Sequence, residues 1–427
     1  MLDIKFIREN KDLIAFGAKK KHIDFDVDAL LTVDDKRREL LTSIEEKKAK
    51  QNEASQKITS TQDEAERNNL ILSMKDLKEG LKVEEEQFAE VMKGWQKLMV
   101  AVPNIPDMSV PEGASDEENV EISTWGDKPN FAFTPKSYID LMYAHDMLDL
   151  ERGVKVAGFR GYFLKNDAVL LNFAIWQYAI NKLGGKGFEP MIVPSLVKRE
   201  TLIGTGYIPQ GEEDLYKTQD GDYLAGTGEV ATMGYYSDEI IDAAILPKKI
   251  LAFSPCFRRE AGSHGKNTRG LYRVHEFFKL EQVVLCEATH QASVDLHEEI
   301  TKNVEDMLQE LQVPYHIVLN CGGDLGLGHV KKYDIEAWIP SEERYGETHS
   351  SSYFHDFQTR RLNIRYRDAE GKLRFAHSLN NTAFATPRLL ISIIENHQQA
   401  DGTIIIPEVL RPYMQGRTVI GKPNNDK

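Results

Sequence analysis

The sequence contains few cysteines and no long apolar run. Its three cysteines, Cys256, Cys286 and Cys321, are far apart and odd in number. This argues against a disulfide framework and against a CxxC metal site, and small buried residues are the simpler interpretation. No apolar run approaches the roughly 20 residues that span a bilayer. The N-terminus lacks the pattern of a signal peptide, so we expect a cytoplasmic protein with no membrane role.

Basic residues are outnumbered by acidic ones. The chain has 53 Lys and Arg against 67 Asp and Glu, a formal net charge of -14. Taken alone, this charge argues against nucleic-acid binding, because neutralising phosphates requires Lys and Arg. A local basic surface can still bind a nucleic acid, since net charge hides its distribution. The composition therefore makes a nucleic-acid partner less expected without excluding it.

Several common catalytic motifs are also missing. The sequence has no GxxxxGKS/T loop, no GxGxxG after a strand, no GxSxG elbow and no HExxH helix. The 12 histidines do not cluster at metal-ligand spacing. We therefore expect no zinc site.

The length and the pattern of the first hundred residues predict two domains, 1–105 and 106–427. After a short helical cap to about residue 27, a polar helix is predicted from Asp28 to Ile58 in a weak heptad register that includes Leu41. A break follows near residues 59–63. The return segment then has apolar residues at alternating steps of four and three, at Leu70, Met74, Leu77, Leu81, Phe88, Val91, Trp95 and Leu98. This predicts a coiled-coil hairpin that projects roughly 55 Å.

The second domain follows a proline-containing linker, and we place the boundary within 105–130. Its sequence indicates short apolar strands at 249–253, 277–286, 315–321 and 362–366. Helices are predicted near 166–184, 288–312 and 383–398. Without regular βαβ alternation, this pattern predicts an α+β domain, with a mixed or antiparallel sheet flanked by helices.

Two segments of this domain carry charge where it is costly. Residues 255–281 form a predicted strand–loop–strand unit containing Arg258, Arg259, Glu260 and Glu281. Charges in apolar strands are expensive unless a ligand compensates them, and arginine suits phosphate. The alternative is a solvent-facing hairpin with surface ion pairs. The second segment, 377–396, places polar residues and Arg388 ahead of an apolar helix, where ordinary capping is the alternative.

Together the two segments resemble the second and third signature motifs of class II aminoacyl-tRNA synthetases. The runs Phe257–Gly262, Asp356–Arg361 and His377–Asn380 are similar to those of seryl-tRNA synthetases, and residues 187–197 look like the first motif. The resemblance covers essentially the whole chain, because that family also has an N-terminal helical hairpin. It implies a class II antiparallel sheet flanked by helices, with an N-terminal antiparallel coiled-coil arm. It also implies activation of serine with ATP, then transfer to tRNA(Ser) and to tRNA(Sec).

The resemblance implies the following roles for individual residues. Arg258 and Arg388 are the catalytic cations, and adenine stacks on Phe277. The implied ATP-binding residues are Arg258, Arg259, Glu260, Val274, Phe277, Glu347, Thr348, His349, Ser350 and Arg388. Glu347 and Ser350 are implied ligands of Mg²⁺, whose preferred donors are oxygens. The implied serine-binding residues are Thr227, Gly228, Glu229, Arg258, Glu281 and Thr382.

The resemblance also implies partners. The arm is expected to bind the long variable arm of tRNA(Ser) by shape and backbone contacts. The candidate phosphate contacts are Lys47, Lys48, Lys50, Lys75, Lys78 and Lys82, although a solubilising charged face is the alternative for each. The first motif implies a homodimer.

The sequence departs from the family's frequent residues at His349, at Asn381-Thr382 and at Pro387. Two other functions stay open, namely a synthetase-like paralogue and another class II specificity. The arm and the implied charged residues count against a paralogue. The lack of an anticodon-binding domain after Arg388 counts against threonine or proline specificity.

Overall fold

The computed structural model describes residues 1–262 and 270–421. It divides into an arm unit, Leu2–Lys19 with Ile23–Pro103, and a core unit, which takes Met1, Lys20–His22 and the chain from Asn104 onward. Residues 263–269, which the sequence analysis included in the second motif, lie outside the described residues. Among those described, no helix is both long and apolar enough to cross a membrane.

The arm unit is built on two long helices. Its helices are α1 (Ile4–Glu9), α2 (Lys11–Lys20), α3 (Val27–Ser60) and α4 (Glu64–Ala101). An aspartate caps each long helix: Asp26 accepts a hydrogen bond from the Ala29 amide at 3.0 Å, and Asp63 accepts one from the Ala65 amide at 2.8 Å. With 38 residues, α4 is roughly 57 Å long. The predicted long helical hairpin is confirmed.

The seam between α3 and α4 mixes apolar and charged contacts. On α3 it buries Leu40 and Ile44, whereas Leu41, which the heptad register selected, is only half-buried. Across the seam, the Glu84 carboxylate accepts hydrogen bonds from the Ser43 hydroxyl at 3.0 Å and from Lys47 Nζ at 2.9 Å. This ion pair explains how a glutamate fits a position at which the heptad pattern expects an apolar residue.

Asp34, on the same helix, is buried with its charge satisfied. It is 1% exposed and accepts hydrogen bonds from Arg8 at 2.6 Å, Arg37 at 2.9 Å and the Trp95 indole at 3.0 Å. Burial alone would raise the pKa of Asp34, but the hydrogen bonds from Arg8 and Arg37 outweigh it and lower the pKa. The carboxylate therefore fixes the base of the hairpin.

The core unit contains the β-structure. Its strands are β1 (Val120–Trp125), β2 (Leu148–Asp149), β3 (Phe163–Leu164), β4 (Glu189–Ile192), β5 (Leu196–Val197), β6 (Tyr216–Lys217), β7 (Tyr223–Leu224), β8 (Ile240–Ile241), β9 (Lys248–Phe257), β10 (Glu276–Cys286), β11 (Tyr315–Leu319), β12 (Lys331–Ile339), β13 (Arg344–His355), β14 (Arg365–Arg367), β15 (Leu373–Phe375), β16 (His377–Thr386), β17 (Ile404–Ile405) and β18 (Val419–Ile420). The main sheet has eight strands in the order β1-β11-β12-β13-β16-β10-β9-β4. Its pairs are antiparallel except β4 with β9, which are parallel. This confirms the predicted α+β class.

Helices pack on both faces of this sheet. The helices of the core unit are α5 (Tyr138–Ala144), α6 (Leu150–Ala157), α7 (Asp167–Gly184), α8 (Arg199–Thr205), α9 (Gly228–Tyr235), α10 (His290–Glu310), α11 (Phe357–Arg361) and α12 (Arg388–Asn396). Leu280 and Val284 of β10 belong to the large core shared with α7, α10 and α12. Val283 and Leu285, which alternate with them, pack instead with Met233 of α9. The candidate site lies on this second face.

Two predicted elements differ from the structure. The helix expected over 383–398 begins only at Arg388, because residues up to Thr386 continue strand β16. Apolar Ala383 and Phe384 fit either a helix or a strand pattern, and pairing with β10 decides for the strand. The strand expected at 362–366 is shorter and begins at Arg365, after α11.

Candidate active site

A cavity opens on the α9 face of the sheet, where β10, β13 and β16 lie side by side. Ten of the fifteen predicted site residues line it: Arg258, Glu260, Val274, Phe277, Glu281, Glu347, Thr348, Ser350, Thr382 and Arg388. The cavity thus brings together residues from both charged segments of the sequence.

Two β-bulges determine which side chains of β13 and β16 face the cavity. On β16, Thr382 pairs with Glu281 while Phe384 pairs with Leu280, so Ala383 is an extra residue. Without this bulge, Thr382 and Phe384 would face the same side of the sheet, because strand side chains alternate. With it, Thr382 reaches the cavity and Phe384 enters the core.

The second bulge lies on β13. Glu347 pairs with Glu336 and His349 with Ile335, so Thr348 is the extra residue. Glu347 and Thr348 consequently both line the cavity, although they are adjacent in sequence.

Arg388 lines the cavity and is held by a fork of hydrogen bonds. Its Nε donates to the Tyr272 carbonyl at 2.9 Å, and its Nη1 donates to the Glu347 carbonyl at 3.0 Å and to Glu347 Oε2 at 3.3 Å. The guanidinium also lies 4.5 Å from the centre of the Tyr272 ring. A planar cation fixed in this way is suited to binding phosphate oxygens.

Glu347 sits among cations and is still accessible. Burial would raise the pKa of Glu347, but the charges of Arg388, Lys332 and Arg258 outweigh burial and hold the pKa well below its usual range. Its side chain keeps 43% of its area exposed. The group is therefore an ionised carboxylate that a ligand can reach.

Arg258 and Phe277 form a second cation–ring contact. The Arg258 guanidinium lies 5.3 Å from the Phe277 ring centre, and its Nη2 donates to the Gly226 carbonyl at 3.3 Å. Glu260 accepts a hydrogen bond from Arg273 at 2.8 Å. This part of the cavity offers an aromatic face and a positive charge, as a nucleotide requires.

Another part of the cavity lining presents the Glu281 carboxylate, which is bonded to a hydroxyl and to a lysine. Thr227 caps α9 and donates its hydroxyl to Glu281 Oε2 at 3.2 Å. Lys279 pairs with the same carboxylate, and the two side chains are only 7% and 1% exposed. These groups can bind a small molecule that carries an amine and a hydroxyl.

Glu229 lies outside the cavity lining and contacts it through Tyr207. It is 2% exposed and accepts hydrogen bonds from Gln358 Nε2 at 2.7 Å and from the Tyr207 hydroxyl at 3.1 Å. Burial is the largest influence and raises the pKa of Glu229 to about 7, with the nearby Glu281 charge adding to the rise. The site therefore contains two carboxylates in different environments.

Five predicted residues lie outside the cavity lining, as far as the described chain defines it: Thr227, Gly228, Glu229, Arg259 and His349. The first three belong to the start of α9, and Thr227 and Glu229 connect to the cavity through Glu281 and Tyr207. Arg259 instead donates to the Glu213 carbonyl at 2.8 Å. The His349 ring is buried, with Nδ1 2.8 Å from the Thr348 hydroxyl. Direct contacts of Arg259 and His349 with ATP stay predictions.

The structure adds residues that the sequence analysis did not select. Tyr207, Tyr272, Lys279, Ser352 and Asn380 also line the cavity. Lys279 could have been recognised, because it alternates with Glu281 on a mostly apolar strand. Tyr207 could not, because its role depends on the turn after α8.

The donors in the cavity include oxygens of the kind that a hard cation prefers. Among the described residues, no group of three or more His, Cys, Asp or Glu side chains is arranged to hold a metal. The Glu347 carboxylate and the Ser350 hydroxyl line the same cavity. Mg²⁺ accepts this small number of protein oxygens, because it keeps water and substrate oxygens in its shell.

Comparison with known proteins matches both units of the chain. Residues 1–106 match the family described as Seryl-tRNA synthetase N-terminal domain, and residues 216–397 match the tRNA synthetase class II core domain (G, H, P, S and T). A serine--tRNA ligase of Deinococcus radiodurans is 45% identical over 426 residues, which cover 99% of this chain and 100% of that protein.

Solved structures agree with these matches. The seryl-tRNA synthetase of Pyrococcus horikoshii complexed with ATP superposes with a TM-score of 0.90 at 36% identity, covering 98% of this chain and 99% of the other. The cytoplasmic serine-tRNA ligase of Naegleria fowleri in complex with AMP gives 0.87 at 30% identity, with 99% of each chain covered.

Proposed function

This chain belongs to the seryl-tRNA synthetase family, and from that premise we propose that the cavity is where serine and ATP react. The enzyme activates serine with ATP, forming seryl-adenylate and pyrophosphate, and then transfers serine to the 3′ end of tRNA. The observation that carries the assignment of the site is one cavity whose lining combines Arg258 and Arg388 with the carboxylates of Glu281 and Glu347. The residues that a synthetase-like paralogue would be expected to lose, among them Glu281 and Arg388, are all present.

At the nucleotide end, Arg258 binds the α-phosphate and Arg388 the γ-phosphate, while adenine lies against Phe277. The serine carboxylate attacks the α-phosphorus, the α–β phosphoanhydride bond breaks, and pyrophosphate leaves. This step requires alignment and positive charge for the developing negative charge, and it requires no protein nucleophile. The hydrogen bonds that hold Arg388 to the Tyr272 carbonyl at 2.9 Å favour such alignment.

At the other end, the serine amine binds Glu281 and Thr227, and the hydroxyl binds near Glu229 and Thr382. Serine is then distinguished from alanine by its hydroxyl. Binding alanine leaves buried polar groups of the site unpaired, which costs on the order of 1 to 3 kcal/mol for each group.

Glu347 and Ser350 would hold Mg²⁺, which would supply charge neutralisation for the triphosphate. The chain's own contribution is an ionised carboxylate whose pKa is lowered by Arg388, Lys332 and Arg258 against the effect of burial.

The arm binds tRNA(Ser). Of the six predicted lysines, Lys47 and Lys48 pair with Glu84 and Glu85, at 2.9 and 2.8 Å. The exposed lysines that form no ion pair within the described residues carry the proposal: Lys50, Lys75, Lys78 and Lys82. Replacing these four with glutamate should abolish tRNA serylation and leave serine-dependent ATP/pyrophosphate exchange intact, because every residue lining the cavity belongs to the core unit. Unchanged serylation would refute the arm's role.

Charging of tRNA(Sec) stays a prediction, and the cytoplasm is the proposed location.

The enzyme is a homodimer. Large apolar side chains are exposed between residues 159 and 192, among them Phe173 at 64% and Ile192 at 84%. Such a concentration of exposed apolar residues is unusual for a monomer's free surface and fits an interface with a second copy. Sedimentation of Phe173→Asp should give monomers where the unmodified chain gives dimers. A monomeric unmodified chain would refute the proposal.

Serine-dependent ATP/pyrophosphate exchange tests the core of the proposal. The expected result is exchange with serine only, among serine, threonine, alanine and cysteine, and its loss in Arg258→Ala. Absence of exchange with any of the four amino acids would overturn the assignment.

A further inference from the structure

A buried chain of hydrogen bonds lies behind the serine end of the cavity. The Ser378 hydroxyl donates to Gln358 Oε1 at 2.7 Å, and Gln358 Nε2 donates to Glu229 Oε1 at 2.7 Å and to the Thr205 carbonyl at 3.2 Å. Gln358, Ser378 and Glu229 are 1%, 0% and 2% exposed. Polar groups buried so deeply are costly unless every one is paired, and here they pair with each other.

The contacts of Gln358 fix the orientation of its amide. Its carbonyl faces a hydroxyl donor, and its NH₂ group faces two acceptors, a carboxylate and a carbonyl. Turning the amide over would place its oxygen against both the Glu229 carboxylate and the Thr205 carbonyl, and its nitrogen against the Ser378 hydroxyl. Gln358 therefore presents N–H to Glu229 in one orientation only.

Glu229 is in turn held from two sides. Gln358 donates to Oε1 from behind, and Tyr207, which lines the cavity, donates to Oε2 at 3.1 Å. Each carboxylate oxygen has two acceptor positions, so Oε2, which accepts one hydrogen bond from Tyr207, has one position left for a further donor. The direction of that remaining position depends on how the carboxylate plane is held.

We propose that Gln358 and Ser378 are positioning residues for serine recognition, which hold the Glu229 carboxylate so that Oε2 accepts the hydroxyl of the bound amino acid. This inference rests on the proposed function, in which Glu229 binds the serine hydroxyl. It adds the two residues that act through Glu229 without touching the substrate. They come from α11 and β16, which are far from Glu229 in sequence.

The test compares variants of the full-length enzyme in the exchange assay, with KM for serine and KM for ATP measured separately. In Gln358→Met, Glu229 loses its donor from behind, and KM for serine should rise roughly tenfold or more, since hydrogen bonds to charged groups are among the strong ones. KM for ATP should stay within about twofold of its original value. Ser378→Ala frees the Gln358 amide to turn and should give a smaller rise in KM for serine of the same kind.

Gln282→Met is the matched control. Gln282 is also fully buried, donates to the Ile300 carbonyl at 3.1 Å and accepts from Asn303 at 2.8 Å, but it faces the core side of β10. The same substitution there should lower thermal stability and leave KM for serine unchanged. Equal KM values for serine in Gln358→Met and Gln282→Met would show that the buried hydrogen bonds of Gln358 serve stability alone, and would overturn the inference.

Gln358→Glu gives a second test that does not depend on tolerance of an apolar side chain. Two carboxylates then face each other, and they can share a proton only at lower pH. The ratio of KM for serine between this variant and the unmodified enzyme should fall as pH is lowered from about 9 to about 7.5, a range in which Glu229 of the unmodified enzyme stays largely ionised. The other charged and titratable groups around Glu229, which are Tyr207, Lys279, Glu281 and Arg258, are common to both enzymes. A ratio independent of pH would contradict the proposal.

The outcomes separate this inference from the proposed function. If the unmodified enzyme gives no serine-dependent exchange, the function itself fails. If it does, and Glu229→Gln raises KM for serine while both Gln358 variants leave it unchanged, only the inference is refuted.

Discussion

Glu229→Gln should make the protein less active and, over part of the pH range, relatively more stable. The pKa of Glu229 is raised by burial from its ordinary value of 4.5 to about 7. A rise of this size corresponds to roughly 3 kcal/mol, at about 1.4 kcal/mol for each pKa unit. Because the folded state binds this proton more tightly than the unfolded state, its contribution to stability is fully present below pH 4.5. It is lost as pH rises through 7.

Glutamine at position 229 carries no such proton. The difference in free energy of unfolding between the unmodified protein and the variant should therefore change by up to about 3 kcal/mol between pH 4.5 and 7.5, in favour of the variant, and then level off. A mismatched hydrogen bond to Gln358 or Tyr207 adds a constant penalty that does not depend on pH. The change with pH, and not the absolute difference, is the quantity to measure, by urea unfolding at several pH values.

Unfolding in the presence of serine tests whether Glu229 also contributes to serine binding. A ligand at 100 times its Kd stabilises the protein that binds it by about 2.7 kcal/mol. At pH 7.5, serine should stabilise the unmodified protein and have a much smaller effect on Glu229→Gln. A difference in unfolding free energy that stays constant from pH 4.5 to 7.5 would refute the argument that Glu229 is held in a proton-binding environment.

Three further substitutions test other parts of the cavity. Lys279→Met leaves the buried Glu281 carboxylate without its cation, and urea unfolding should show a loss of about 3–5 kcal/mol; an unchanged midpoint would show that this pair does not support Glu281. Glu347→Gln removes a predicted Mg²⁺ ligand, so half-maximal exchange should need roughly tenfold more Mg²⁺, and an unaltered Mg²⁺ dependence would contradict that role. Arg388→Lys loses the fork of hydrogen bonds to the Tyr272 carbonyl and Glu347, so kcat/KM for ATP should fall roughly a hundredfold with little change in KM for serine. A change mainly in KM for serine would contradict the role of Arg388 in binding ATP.

The sequence predicted those elements whose signal is local and repeated. The return helix α4 was recognisable from its spacing of apolar residues, and its observed bounds lie close to those expected. The weaker register of α3 misplaced Leu41, because the helix turns Leu40 and Asp34 inward instead. Asp34 can be buried only because Arg8, Arg37 and Trp95 surround it, and such distant partners cannot be derived from a heptad pattern.

The cavity was predictable in composition and less so in geometry. Motif residues such as Arg258, Glu281 and Arg388 were identified from their chemistry and the family resemblance, and they line one cavity. Which side of the sheet each side chain faces was not predictable, since one extra residue in β13 and one in β16 reverse the alternation. This is also why His349, adjacent to Thr348, is buried away from the residues with which it was grouped.

The partners of the two arginines explain how an acidic protein can hold a triphosphate. Arg258 makes no ion pair within the described part of the chain and is oriented by the Gly226 carbonyl. Arg388 is oriented by the Tyr272 and Glu347 carbonyls, with the Glu347 carboxylate at a longer 3.3 Å. Carbonyl dipoles fix a guanidinium without cancelling its charge, whereas a carboxylate cancels it. The net charge of -14 therefore does not describe the cavity lining. There Lys279 pairs with Glu281 and Arg273 with Glu260, while the two cations Arg258 and Arg388 face the single remaining carboxylate, Glu347.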